Sequence, residues 1–250
     1  MGKLVPQDPI DRPASELLKK IEKEKEGLVK EGKIKKSKPL PEIQPDKVPC
    51  QIPRNWSWTI LNSLIIFGPT NGFSPKAVEY ETSVRSLTLT ATTSGKFRGE
   101  YSKFIDYQIP LDSDLWLKDG DILIQRGNTL EYVGVSAIYH GDSNYYIYPD
   151  LMMKIHLSKH LSLGYIHLSM SSEQCRNFLR DRASGTSGTM PKINQETLKN
   201  LPIPIPPLAE QHRIVAKCDQ IMTLCDNLEK QIDETNSKKT NLLNAVMTKF

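Results

Sequence analysis

Apolar residues recur at two different spacings along this chain. From Ile214 onward they step by four and by three, through Ile214, Cys218, Ile221, Cys225, Leu228, Ile232, Thr235, Lys239, Leu242 and Val246. That alternation is a heptad seam, apolar to Ile232, polar at Thr235 and Lys239, and apolar again at its end. No Gly or Pro follows Leu208, so the pattern predicts one helix of roughly 40 residues and roughly 60 Å. A rod of that kind cannot bury its own stripe and needs another helix along it. A long core helix of an ordinary domain is the plainer reading. The length favours a spacer or dimerisation coiled coil, since average helices are far shorter.

Two segments flank the pattern. Just before the rod, Pro202, Pro204, Pro206 and Pro207 alternate with apolar residues, which predicts a stiff extended arm rather than helix interior or central strand. Pro207 suits a first helical position, and Glu210 suits the positive end of the helix dipole. Near the N-terminus, Leu17, Leu18, Ile21, Leu28 and Val29 mark one stripe of a charged helix, with Ser15 as N-cap and Gly32 as its stop. About 17 residues make roughly 26 Å of helix. Even docked on the rod, it leaves much of the seam uncovered, so the missing surface must come from another chain. Residues 32–53 are rich in Lys and Pro and read as a linker.

Between these ends the apolar spacing falls to two. Strands are expected over 84–90, 122–126, 133–139, 145–148 and 151–157, and helices over 171–183 and 194–200. Residues 68–72 read as a turn and 91–99 as a polar loop. The fold class is therefore mixed α/β: a sheet-rich core, a short N-terminal helix and a long C-terminal coiled-coil helix. The expected division is 1–49 for the helix and linker, 50–200 for the globular domain, and 201–250 for the proline arm and rod.

Composition narrows the function classes. The chain is 38% hydrophobic and 25% charged, with no apolar run near 18 residues, so no membrane span is expected. The N-terminus lacks the apolar region of a secretory signal, and a cytoplasmic location is expected. A net charge of +4 permits nucleic-acid binding without demanding it. Catalytic signatures are missing. There is no Asn-Pro-Pro-Tyr element, no glycine-rich turn after a strand, no Walker lysine loop and no nucleophile elbow. Pro149-Asp150 is followed by Met152-Met153-Lys154, not by a nuclease Glu-x-Lys. His156 and His160 have no carboxylate placed to complete a zinc site. No catalytic residue, metal or cofactor is expected.

What the centre does offer is the chemistry of DNA reading: cations for phosphate, and amide or fork-shaped donors for base edges. Asn71 and Lys76 lie in one loop. Arg85, Thr93, Ser94, Lys96 and Arg98 run through a second, whose small hydroxyls let backbone approach a phosphate. Gln125, Arg126 and Asn128, with Tyr132 beyond, form a third at a strand end. Each has a plainer reading: a Thr/Ser loop as a solvated turn, Arg126 paired with Glu131, Tyr132 at a core edge.

The stretch Pro206-Pro207-Leu208-Ala209-Glu210-Gln211-His212-Arg213-Ile214-Val215, with Leu224-Cys225-Asp226-Asn227-Leu228-Glu229 after it, closely resembles the specificity subunits of type I DNA restriction-modification enzymes. In such subunits an ending like Leu242-Leu243-Asn244-Ala245-Val246 is followed by a stretch like Gly2-Lys3-Leu4-Val5-Pro6-Gln7-Asp8-Pro9. By that resemblance the chain looks like the second half of a specificity subunit, with one target recognition domain where two are usual. The loop carrying Thr186, Ser187 and Lys192 resembles the one that closes family recognition domains. The resemblance implies a non-catalytic subunit that binds double-stranded DNA. It further implies methyltransferase and endonuclease/translocase subunits as partners, and the rod as homodimer and partner surface. An interaction module that regulates a methyltransferase or a full-length specificity subunit remains the other class.

Overall fold

The computed structural model describes residues 1–34, 50–185 and 190–247, without the side chains of Leu242, Ala245 and Val246. Most of the expected linker, Thr186 and Ser187, and the side chains of the last two seam positions therefore lie outside the described residues.

Helix α1 (Ala14–Lys30) buries Ala14, Leu17 and Ile21. Pro13, not Ser15, holds its N-cap position and offers no side-chain cap. None is needed for the leading donor, because the Ala14 N–H is bonded to the Asn55 carbonyl at 2.9 Å. The helix stops at Gly32, as expected, where φ is +70°. Its buried face does not lie along the rod. It joins the main core beside Leu61 and Leu64, and Lys25 Nζ donates to the Asn62 carbonyl.

Strand β1 (Ser57–Ile60) leads through the single turn α2 (Leu61–Leu64) into β2 (Ile65–Asn71). Residues 68–71, expected as a turn, continue the strand with shifts in register. At Gly68 (φ +94°) an added Cβ would stand 2.4 Å from the Lys154 carbonyl oxygen, so only glycine fits the irregularity. Then come β3 (Ala77–Val78), β4 (Val84–Leu87), the turn α3 (Thr90–Thr93), β5 (Ser102–Ile105), β6 (Ile122–Gln125), β7 (Ser136–Ile138), β8 (Tyr146–Ile147) and β9 (Met152–Leu157). They form two four-stranded sheets, ordered β2-β9-β6-β7 and β3-β5-β4-β8; the first is antiparallel, and in the second only β4 and β8 run parallel. In β6, Ile122 and Ile124 face one core cluster and Leu123 the other. A strand covered on both faces reads as a continuous apolar run, as this one does.

Helix α4 (Leu163–Ser171) was not expected from the pattern. α5 (Glu173–Asp181) and α6 (Gln195–Lys199) fall inside their expected ranges, capped by Ser172 and Asn194 side chains.

The proline arm is a strand, β10 (Pro202–Ile205), paired antiparallel with β1. The Leu61 N–H bonds the Leu201 carbonyl, so the hydrogen-bonded parity falls on 201, 203 and 205. Pro202 and Pro204 thus turn their donor-less nitrogens to the outer edge, where a ladder tolerates them. Their outward carbonyls are met by the Tyr165 hydroxyl (2.7 Å, Pro204) and the Cys175 thiol (3.7 Å, Pro202). Ile203 and Ile205 are buried beneath.

Helix α7 (Leu208–Met247) runs 40 residues without interruption. Pro207 is its preceding residue, its carbonyl accepting from the Gln211 N–H at 2.9 Å. The first turns are fastened to the domain. Buried Glu210 accepts from Trp56 Nε1 (2.9 Å) and from Gln7. Buried Gln211 accepts from the Ser162 N–H and donates to the Pro206 carbonyl. Arg213 pairs with Asp11 at 2.5 Å. Ile214 and Val215 pack on the core, and Cys218 is half-buried. Beyond that point the helix projects: Ile221 is 40%, Leu228 58% and Ile232 58% exposed, and Cys225 is exposed.

Candidate nucleic-acid interface

The register of the first sheet gathers the ends of its four strands. Asn71 pairs with Met153, Gln125 with Met152, and Ile124 with both Met153 and Ser136. The loops after β2 and β6 therefore leave from one end, beside the turn 148–152. Backbone bonds fix them there. The Gly72 N–H bonds the Met152 carbonyl and the Phe73 N–H the Tyr148 carbonyl. The Arg126 N–H bonds the Leu151 carbonyl at 2.9 Å. The segment after α5 closes on the same place: Ser184 and Lys192 exchange N–H···O bonds, Ile193 N–H bonds the Arg126 carbonyl, and Asn128 N–H reaches the Pro191 carbonyl. Gly127 sits against that segment so closely that an added Cβ would meet Lys192 Cγ at 3.1 Å.

The remaining loop is held by Gln125, which is completely buried. Its Nε2 donates to the Leu89 carbonyl (2.9 Å), Thr92 Oγ1 (3.0 Å) and Thr93 Oγ1 (3.2 Å). Its Oε1 accepts from Asn128 Nδ2 at 2.6 Å. The Gln125 side chain, expected at a base edge, is turned inward here and joins the loop after β4 to the loop after β6. Asn128 is likewise engaged inside the protein, its Oδ1 taking the Thr129 N–H at 2.7 Å. Its amide, like that of Gln125, makes its hydrogen bonds within the protein at this packed strand end.

Other expected residues are presented outward. Lys76, Lys96 and Lys192 are exposed, and none is ion-paired among the described residues. Arg98 is exposed over the Tyr101 ring and paired with Glu100 at 2.8 Å. Glu100 is held below the ordinary carboxylate value by a backbone N–H first and by Arg98 second. Arg85 lies over the Phe104 ring at 4.6 Å and donates to the Tyr145 hydroxyl at 3.4 Å. Asn71 is exposed and accepts from Gln195 Nε2. Thr93 donates to the Leu89 carbonyl and Ser94 to the Lys96 carbonyl, so both hydroxyls first serve their own turn. Tyr132 is half-buried. Arg126 is half-buried and makes no ion pair with Glu131 among the described residues; the Glu131 carbonyl accepts instead from Arg176 (2.6 Å) and Arg180 (3.2 Å).

Asp150, from the Pro149-Asp150 pair, accepts from the Ser74 hydroxyl at 2.6 Å on the surface. Lys154, its would-be partner, is 2% exposed and spends its donors on the Asp114 and Trp116 carbonyls (2.7 Å each), with Asp121 at 3.5 Å. Asp121 also takes His156 Nδ1 at 2.9 Å. Burial holds the Lys154 pKa below its ordinary value, against the opposing pull of Asp121. Lys154, Asp121 and His156 thus form one linked structural group at β6 and β9, and Asp150 stands apart from it on the surface. Sequence reasoning missed the turn 148–152 as the hub and Arg176 and Arg180 as the holders of the loop tip. The turn carries no motif, and the two arginines sit in a helix with an ordinary amphipathic pattern.

Comparison with known proteins agrees with this architecture. A family model described as "Type I restriction modification DNA specificity domain" matches residues 92–235. The chain is 34% identical to the type I restriction enzyme EcoEI specificity subunit of Escherichia coli, over 98% of this chain and 42% of the relative. It is 37% identical to the EcoAI specificity subunit of Escherichia coli, over 92% of this chain and 38% of the relative. The chain thus spans about two fifths of the length of these curated relatives. Its fold is like that of the HsdS subunit from Thermoanaerobacter tengcongensis (TM-score 0.56, 20% identity, 78% of this chain and 49% of that one). A chain from a study of complex assembly and conformational transition of the type I R-M system is equally close in fold (TM-score 0.56, 19% identity, 91% of this chain and 50% of that one). The family match over more than half of the chain, and relatives that cover nearly all of it, agree: this chain belongs to the type I restriction-modification DNA specificity family.

Proposed function

We propose that this chain is a non-catalytic DNA-reading subunit that recognises one half of a bipartite duplex site. Residues 50–200 act as the recognition unit, flanked by the helix and linker of 1–49 and the rod of 201–250. The observation that carries the reading is the convergence of four loops on one end of the sheet, with Lys96, Arg98, Arg126 and Lys192 around it. Phosphate contacts from these cations orient the domain, and loop residues beside them read base edges. The rod, fastened at Glu210 and Arg213 and exposed from Ile221 onward, pairs with the rod of a second copy. Antiparallel pairing sets two recognition domains a fixed distance apart and gives an interrupted palindromic site. The same rod docks methyltransferase subunits, which carry the cofactor, and an endonuclease/translocase subunit joins for cleavage in the cytoplasm. Mapping methylated sites in DNA from cells that carry this chain with its methyltransferase tests the reading. The expected motif is a palindrome with an unspecified centre; an asymmetric or uninterrupted motif overturns it.

The exposed apolar edge of α7 also suits a module that binds a methyltransferase or a longer specificity subunit without gripping DNA itself. Salt-dependent binding to random duplexes separates the two, because phosphate contacts give a steep slope that such a module lacks.

A further inference from the structure

Among the described residues, five buried side-chain N or O atoms have no hydrogen-bond partner, and four of them are guanidinium nitrogens: Arg85 Nε, Arg126 Nε, Arg176 Nη1 and Arg180 Nε. Three of these four surround one loop. Arg126 opens the segment 126–134, and Arg176 and Arg180 both donate through Nη2 to the Glu131 carbonyl at its tip. A carbonyl oxygen has two lone pairs, whereas the two guanidiniums bring ten N–H donors. Neither is ion-paired among the described residues. The two stand four residues apart on α5, a spacing at which like charges repel. Arg176 is 7% exposed, and its pKa is pushed down to about 10, by burial first and by Arg180 second. One arginine suffices to cap a carbonyl. The second adds repulsion in a partly desolvated place, where an anion would relieve it.

Position says which anion. α5 runs directly into the segment whose Ser184 and Lys192 pair. Ile193 N–H bonds the Arg126 carbonyl. The arginine pair therefore lies on the same edge as Arg126, Asn128 and Lys192. We propose that Arg180 grips a backbone phosphodiester of duplex DNA, with Arg176 as the positioning residue that holds the Glu131 carbonyl and the loop tip behind it. The inference rests on the DNA-reading function above and assigns a contact to residues outside the expected loops. Arg180, the more open of the two, offers its Nη1 amino group to a phosphate oxygen, its Nη2 being held by the Glu131 carbonyl and its Nε buried.

The test compares the full chain with R180A and R180K, using a random-sequence duplex as probe. Affinity is read across a salt series, and the urea midpoint without DNA is read in parallel. R180A should lower affinity about tenfold at low salt and flatten the plot of log affinity against log salt by about 0.9, the share of one phosphate. R180K, which keeps the charge, should restore the slope. The midpoint of free R180A should equal or exceed that of the unaltered chain, because the repulsion on Arg176 is gone. An R180A slope equal to the unaltered chain's, with a lower midpoint, marks a plain structural cap and overturns the clamp while the DNA reading stands. No salt-dependent binding by the unaltered chain defeats the DNA reading itself and the clamp with it.

Discussion

Replacing Gln125 with leucine separates a pin from a reader. The side chain is wholly buried, and its amide makes four contacts, three as donor and one as acceptor. Its two amide hydrogens serve three oxygens, so one of them is shared. In Q125L the Leu89 carbonyl is not stranded, because it still accepts from the Thr92 and Thr93 hydroxyls at 3.3 and 3.1 Å. Asn128 is half-buried and can turn its freed donor to water. The loss is then two or three net hydrogen bonds at roughly 1 kcal/mol each, about 2–3 kcal/mol. A domain with a typical stability of about 5–15 kcal/mol survives that. Urea unfolding followed by fluorescence of Trp56, Trp58 and Trp116 reads it. At an m of about 3 kcal/mol per molar the midpoint falls by roughly 1 M with m unchanged. The chain concentration must be held constant, because any pairing of rods would add to the apparent stability. DNA affinity should fall as well, for all sequences alike, since the loops after β4 and β6 lose their register. A stability change under about 0.5 kcal/mol, as for an ordinary surface site, together with altered base preference, would refute the pin and restore Gln125 as a reader.

Two further outcomes follow from burial. K154M should cost about 3 kcal/mol, because it takes the donor from the Asp114 and Trp116 carbonyls and the nearby cation from buried Asp121, which keeps only its bonds from Lys118 N–H and His156; a loss below about 1 kcal/mol in the same urea assay, where ordinary substitutions fall, would show that the network carries no weight. Under brief maleimide treatment Cys225, exposed on the single chain but on the edge that the proposed pairing covers, should label faster when Ile221, Leu228 and Ile232 are all changed to lysine than in the unaltered chain. Cys175 should resist, since burial pushes its thiol upward and occupies it with the Pro202 carbonyl. Mass spectrometry of the peptides decides, and rapid labelling of Cys175 would contradict the packing of α5 on β10.

The parts of the fold that declare themselves locally were legible in the sequence. The heptad seam of α7, the alternation of β4 and the bounded apolar runs of β6 and β9 need only their own neighbours to be read. What failed depended on distant partners. Pro202–Ile205 looked like a free arm because its strand partner, Ser57–Ile60, lies far away in the chain. Helix α4 is apolar on nearly every side (Leu163, Tyr165, Ile166, Leu168 and Met170) and shows no helical period. At the candidate interface, residue types were a poor guide to placement. Lys96, Arg98 and Lys192 face outward as expected, while Gln125 and Asn128 spend the same hydrogen-bonding capacity on the fold. The arginines of α5 gave no signal, because their meaning lies in sharing one carbonyl 45 or more residues upstream.

The central claim is that the exposed edge of α7 meets a second copy. Sedimentation equilibrium of the purified chain at micromolar concentration measures this directly. The account predicts a species of twice 28.3 kDa, reduced to the single mass when Ile221, Leu228 and Ile232 are all changed to lysine. A single 28.3 kDa species for the unaltered chain across the micromolar range would contradict it.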